Sequence, residues 1–343
     1  MLTTDSSKRG LRDNGRSNTW PSQIGNRQSI IQLMYNLTMG PNPVMLDGKR
    51  LAKKVLDRCA GKVRRIRQKA GVTPGLATVL VGDDPASADY VRWKGRKCES
   101  VGMRSIRVEL PANTTTEQLV AAIGQLSRDD SVHGILLQHP VPDHIDERAA
   151  FEAIVPTKDV DGVTVQSFGA VSFDLMGFGP CTPAGIMQLL AAHSVDPKGM
   201  HAVVIGRSPI VGKPMAMMLL AAHATVTICH SRTQNLPDTT RLADLVVAAV
   251  GKPKFVEGDW IKPGAIVIDA GWHPQAKVGD VDLEAVSTRA SMITPVPGGV
   301  GPMTIATLID QTATAAARQL DVDPVLHVSG SQPSGTIPQA PVT

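Results

Sequence analysis

A two-domain α/β protein is the fold class that this chain predicts, on three observations. Its 343 residues exceed the size of one ordinary domain. Short apolar runs bounded by glycine alternate with segments of helical length, which is the pattern of β-α-β units and parallel sheets. With 42% hydrophobic and 19% charged residues, the chain can bury a sizeable core.

Composition also excludes several function classes. Aromatic residues are only 3%, which leaves few platforms for stacking bases. Of the formal charge of +4, Lys8, Arg9, Arg12, Arg16 and Arg27 against Asp5 and Asp13 put +3 in the first forty residues; with Asp321 and Asp323 also set aside, the +3 left on the core is too little for a nucleic-acid partner. No apolar stretch has the length of a membrane span and the N-terminus lacks a secretory apolar core, so no membrane partner is expected either. Cys59, Cys98, Cys181 and Cys229 are widely spaced without a C-x-x-C pair, which fits a reducing cytoplasm and indicates neither disulfides nor a metal site.

Residues 1–41, rich in Ser, Asn, Arg and Gln without periodicity, read as a disordered extension. Leu51, Val55, Val63 and Ile66 then mark one face of a helix over 46–69. A strand over 75–82 is followed by Asp83-Asp-Pro-Ala-Ser87, a turn that opens a second helix with Pro85 near its start. Ser87, Tyr90 and Lys94 lie on one face of that helix, with Tyr90 and Lys94 one turn apart. A strand over 103–110, a helix over 116–126 and a strand over 132–139 come next. The last exposes Gln138 at its carboxyl end, where open α/β sheets bind ligands. Lys158-Asp-Val-Asp-Gly162 is a loop with two carboxylates, better explained by Asp-stabilised turns than by a metal. The first domain accordingly spans 45–181.

A helix over 182–192 leads into the second domain, 182–301. Ala202-Val-Val-Ile-Gly-Arg-Ser-Pro-Ile-Val-Gly-Lys-Pro214 reads as a buried strand, a turn at Gly206 and the start of a helix whose unpaired N–H groups suit an anion. Ser208 replaces the second glycine of the usual dinucleotide fingerprint. The next strand, over 224–233, ends without the acid that would bind a ribose 2′-hydroxyl. Arg207, Ser231 and Arg232 stand there instead and suit a 2′-phosphate, so NADP is favoured over NAD in a Rossmann-like domain. A helix over 240–245 and strands over 246–250 and 265–270 follow, the last ending in Gly271-Trp-His273. Thr294-Pro-Val-Pro-Gly-Gly-Val-Gly-Pro-Met-Thr304 is a glycine-rich turn able to approach a flat ligand, and Pro302 begins a helix over 302–320. Residues 321–343 read as a disordered tail.

Together these motifs resemble the bifunctional methylenetetrahydrofolate dehydrogenase/methenyltetrahydrofolate cyclohydrolase family. The resemblance covers 46–320 and rests on Val81-Gly-Asp-Asp-Pro-Ala-Ser87, Tyr90-Val-x-x-Lys94, Gln138 before Pro140, Lys158-Asp-Val-Asp-Gly162, Pro180-Cys-Thr-Pro183, Gly206-Arg-Ser-x-x-Val-Gly-x-Pro214 and Pro295-Val-Pro-Gly-Gly-Val-Gly-Pro-Met-Thr304. It implies two α/β domains joined by long helices, with an active-site cleft between them and the C-terminal helix completing the first, folate-binding domain. It implies a homodimer, NADP as cofactor, and tetrahydrofolate one-carbon derivatives as substrates. Lys94 is then the catalytic base, Tyr90 and Gln138 position it and the substrate, and Asp161 holds the pterin. Leu137, Gln138, His139 and the run Pro297, Gly298, Gly299, Val300, Gly301, Pro302, Met303 are implied to bind folate. Gly206, Arg207, Ser208, Ser231, Arg232 and Trp272 are implied to bind NADP. Two departures stand out: His139 replaces a common Leu, and Trp272-His273 replaces the usual Ile-Asn. The Tyr90-x-x-x-Lys94 spacing is also that of short-chain dehydrogenases, but there the phosphate turn precedes the Tyr-Lys pair, the reverse of the order here.

Overall fold

The computed structural model describes residues 42–322; the expectations for 1–41 and 323–343 lie outside the described residues. The chain opens with β1 (Val44–Met45), α1 (Gly48–Ala70), β2 (Gly75–Val81), α2 (Pro85–Ser100), β3 (Arg104–Leu110), α3 (Thr116–Arg128) and β4 (Gly134–Leu137). Strands β3, β2 and β4, in that order, form a parallel sheet. β2 lies in its middle and is buried at every position, as its unbroken apolar sequence requires. Asp47 caps α1 by accepting from Arg50 N, and Gly71 ends it at φ 69°. Ala52, Val55, Cys59, Val63 and Ile66 form its buried stripe.

Two short helices, α4 (Glu147–Glu152) and α5 (Val165–Ser172), were not legible as periodic segments; the side chains of Asp146 and Thr164 cap them. After α6 (Cys181–Ala192) come β5 (His201–Ile205), α7 (Gly212–Ala221), β6 (Thr225–Cys229), α8 (Leu236–Arg241), β7 (Leu245–Ala248), β8 (Ile266–Asp269), α9 (Leu283–Ser287), β9 (Met292–Ile293) and α10 (Val300–Gln319). The second sheet is parallel, in the order β1-β9-β8-β7-β5-β6. Its β1 comes from the chain ahead of the first domain, with Val44 and Met45 registered on Met292 and Ile293.

The helix read over 240–245 lies earlier, at α8, because Ala243 and Leu245 belong to the buried apolar run that becomes β7. The C-terminal helix begins at Val300 rather than Pro302. It serves both cores. Val300, Met303 and Ala306 pack with Leu189, Val204 and Val247 against the second sheet. Ile305, Leu308, Ile309 and Ala313 pack with Val63, Leu76 and Leu136 against the first. Lys62 Nζ donates to Asp310 Oδ1 at 2.8 Å and to Thr314 Oγ1 at 3.0 Å, fixing α1 against α10. Leu320 and Val322 pack beside Ile66 at the end of α10. No helix among the described residues is long and apolar enough to cross a membrane.

Candidate active site

Gln138 leaves the carboxyl end of β4 with its backbone N–H on Val79 O, and its side chain turns toward α2. There Lys94 Nζ donates to Gln138 Oε1 at 2.9 Å, while Gln138 Nε2 donates to His139 O at 2.8 Å. The amide is therefore held at both ends and the lysine is held by the amide. Burial pushes the Lys94 amine below the ordinary lysine range, opposed by the nearby Asp161 carboxylate. Burial pushes Asp161 the other way, upward, opposed by Lys94 and His139.

The two carboxylates of the Lys158-Asp-Val-Asp-Gly162 loop have separate jobs. Asp159 is fully buried and accepts from Val163 N, Thr164 N and Ser167 Oγ, so it builds the loop. Asp161 is left to face Lys94. Behind it, Gln311 Nε2 of α10 donates to Val160 O at 2.7 Å and Gly179 O at 3.1 Å and touches Cys181 Sγ at 3.3 Å. The helix shared by both cores thus also fixes the loop that presents Asp161.

A cavity of about 110 Å³ lies between the two sheets. Lys94, His139 and Asp161 line it from the first, Ile210 and Val211 from the second, and Thr304, Ile305 and Leu308 from α10, with Cys181 and Thr182 at the start of α6. Among the residues expected at the substrate, Lys94, Gln138, His139 and Asp161 come together here. Leu137 does not: it packs into the core with Val79, Leu119 and Ile123, and Leu136 faces the cavity in its place. A continuous apolar strand carries no alternation to show which neighbour points inward. Tyr90 is 39% exposed and meets Trp93 edge-on at 6.4 Å, without a hydrogen bond to Lys94. In the glycine-rich turn only Gly298 adopts the left-handed region, at φ 118°. Pro297 and Gly301 are exposed, Pro302 is half-buried, and Gly299, Val300 and Met303 are buried, Met303 within the core. Ile210, Val211, Thr182 and Thr304 were not singled out in the sequence, since apolar and hydroxyl residues carry no chemical signature.

The second sheet ends in a row of loops. Ile205 registers on both Cys229 and Ala248, and Ala248 on Asp269, so the turns after β5, β6, β7 and β8 leave one edge together. Gly206 has φ 129°, and a Cβ there would collide with the Ala249 carbonyl, so the turn needs glycine and keeps open backbone at the sheet's crossover point. Arg207, Ser231 and Arg232 are exposed on this edge, and Trp272 is 37% exposed. The helix after the turn differs from expectation in one respect. Ser208 Oγ accepts from Val211 N at 3.2 Å and Gly212 N at 3.3 Å, so the leading N–H groups of α7 are satisfied by the chain itself.

Residues 180–320 match the model of the tetrahydrofolate dehydrogenase/cyclohydrolase NAD(P)-binding domain, and residues 46–161 that of the catalytic domain. The bifunctional protein FolD 1 of Streptomyces avermitilis is 60% identical over 278 residues, 81% of this chain and 96% of its own length. The chain belongs to the tetrahydrofolate dehydrogenase/cyclohydrolase family. Among solved structures, the bifunctional FolD enzyme of Campylobacter jejuni is 46% identical with a TM-score of 0.78, covering 80% of this chain and 99% of its own. The Trypanosoma brucei enzyme, solved with NADP and an inhibitor, is 38% identical with a TM-score of 0.77, covering 81% and 99%. Dehydrogenase and cyclohydrolase activities with NADP come with this membership.

One feature of this family member was not legible in its sequence. Asp269, buried at the end of β8, accepts from Gly271 N, Asp280 N and Val281 N. Asp280 in turn accepts from Val250 N, Gly251 N and Lys252 N, and its Oδ1 lies 2.9 Å from His273 Nε2. The pair ties the loop after β7 to the one carrying Trp272. Burial pushes the Asp269 carboxyl up to about 6, against its three backbone donors. A raised folded-state pKa means that its stabilising contribution is full below the unfolded value and is lost as pH rises through the folded one. In urea denaturation, the stability of the unaltered chain minus that of Asp269→Asn should therefore fall between about pH 4 and pH 7, by on the order of 3 kcal/mol. A difference that grows over this window contradicts the assignment.

Proposed function

We propose that the cavity between the sheets is the single site at which this chain oxidises 5,10-methylenetetrahydrofolate with NADP and then hydrolyses the methenyl product to 10-formyltetrahydrofolate. The observation that carries the reading is the desolvated Lys94 amine held by Gln138 at 2.9 Å beside Asp161. The edge of the second sheet fits NADP: Gly206, which only glycine can occupy because the Ala249 carbonyl packs against it, turns the chain sharply at the end of β5, and the exposed Arg207, Ser231 and Arg232 offer positive charge and donors to a 2′-phosphate. When bound there, NADP accepts the hydride of the methylene carbon.

The two steps ask different things of the residues. The flanking nitrogens of the folate stabilise the cation left by hydride loss, so oxidation chiefly needs orientation. Asp161 supplies it by holding the pterin, and Gln138 and the exposed part of the glycine-rich turn, Pro297 and Gly301, by flanking the ring. Hydrolysis needs a base, because attacking water must lose a proton. A free lysine is a poor base at neutral pH, but burial lowers Lys94, and the bound methenyl cation, a like charge, disfavours its ammonium further. Tyr90, one helical turn away, is proposed to close over the substrate. A cytoplasmic homodimer without nucleic-acid or membrane partners completes the reading. Its support is four free thiols and the exposed Leu220, Ile228 and Leu242 around the edge strand β6.

Arg207→Ala and Arg232→Ala should each weaken NADP roughly tenfold or more while leaving NAD nearly unchanged, since a charge-assisted hydrogen bond contributes about 1.5–3 kcal/mol. Equal loss for both cofactors in binding titrations would sink the 2′-phosphate assignment. Lys94→Gln keeps a polar head but cannot take the proton. Methenyl hydrolysis should fall roughly a hundredfold or more, and NADP reduction much less, in a variant whose circular dichroism is unaltered. If both fall equally, or if hydrolysis survives, Lys94 is not the base.

A further inference from the structure

His139 is the cavity group that neither step has used. Its ring lies edge-on to Phe151, with centroids 6.2 Å apart and planes at 81°. Arg148 lies over the same Phe151 ring at 5.2 Å, so the aromatic partner is itself held. Neither His139 ring nitrogen has a hydrogen bond to a described residue, while its backbone carbonyl accepts from Gln138 Nε2. The residue is half-buried, shares the cavity with Lys94, Asp161 and Cys181, and sits near enough to Asp161 to favour its carboxylate.

Hydrolysis creates a need that such a ring can meet. Each turnover forms a C–O bond, then breaks the C–N5 bond as the carbinol collapses to the formyl group; of the two water protons one goes to N5 and the other is left on Lys94 Nζ, which must lose it before the next water is activated. Gln138, bonded to Lys94, is an amide too weakly basic to take up a proton near neutral pH. Cys181 is no relay at neutral pH, since burial raises its thiol well above the ordinary range. Asp161 is occupied by the pterin in the reading above. An imidazole has two ring nitrogens, so it can take a proton on one and release one from the other.

We infer that His139 accepts this proton from Lys94, through water in the cavity, and passes it to solvent, giving hydrolysis in this chain a built-in proton exit. The inference rests on Lys94 being the general base. A leucine at this position closes the exit, and proton release then depends on small bases from solution.

The test uses the full chain with His139→Leu, and His139→Gln as a second, polar variant in case the first folds poorly. Methenyl decay and NADP reduction are followed in the same preparations, in dilute buffer with and without added imidazole, with decay in the presence of Lys94→Gln subtracted. The ratio of hydrolysis to oxidation should fall about tenfold in both variants and return toward the unaltered value as imidazole is added, while the unaltered chain ignores imidazole. An unchanged ratio, or a lowered ratio that imidazole does not restore, overturns the proton exit. Hydrolysis surviving in Lys94→Gln instead overturns the base assignment itself, so the two failures are distinguishable.

Discussion

The hydrogen bond from Lys94 to Gln138 is the contact that gives the cavity its chemistry. An ammonium in water is a weak acid and its neighbours matter little. In a buried cavity the charged form is disfavoured, and the amine depends on the groups that the fold places beside it. At 2.9 Å the Gln138 oxygen orients the amine without adding charge. Asp161 supplies the opposing charge, although its own burial disfavours the ionised form. Each of these positions is set from outside the cavity: Gln138 by the end of β4, Lys94 by the face of α2, and Asp161 by the Asp159-built loop and Gln311.

The helix α10 links this local chemistry to the two-domain architecture. Its alternate faces complete both cores, so the first and second sheets cannot shift independently without disturbing it. Thr304, Ile305 and Leu308 of the same helix line the cavity, and Gln311 braces the Asp161 loop. The second sheet and Lys94 are thereby held in register by one element. On the cofactor side, Asp269 and Asp280 accept six backbone hydrogen bonds between them, which fixes the loops after β7 and β8. The cost is a carboxyl whose pKa burial raises to about 6.

Much of this was legible in the sequence, for physical reasons. Fully buried parallel strands must be apolar throughout, so β2, β5, β7 and β8 announce themselves, as does the one-turn spacing of Tyr90 and Lys94 on α2. Gly206 was legible as the turn ending β5, and the arginines after β5 and β6, read as the place for a nucleotide, do emerge on one edge of the sheet. Side-chain direction was not legible: Leu136 and Leu137 are chemically alike, and only the sheet's position decides which meets the cavity. The same holds for Asp159 and Asp161. Helices of six and eight residues, α4 and α5, are too short for periodicity to stand out, and the two-residue pairing of β1 with β9 joins chain segments far apart. The Asp269–Asp280 network draws on loops that meet only after folding.

The central claim is that the fold holds the Lys94 amine in a state from which it can act as a base. Its proton affinity is open to direct measurement, by NMR titration of the chain with isotope-labelled lysine side chains, with Lys94→Gln to assign the resonance. One lysine signal, absent from the variant, should titrate clearly below the surface lysines and move lower still when a cationic methenyl analogue is bound. A Lys94 signal that titrates together with the surface lysines, and is indifferent to the cation, contradicts the account.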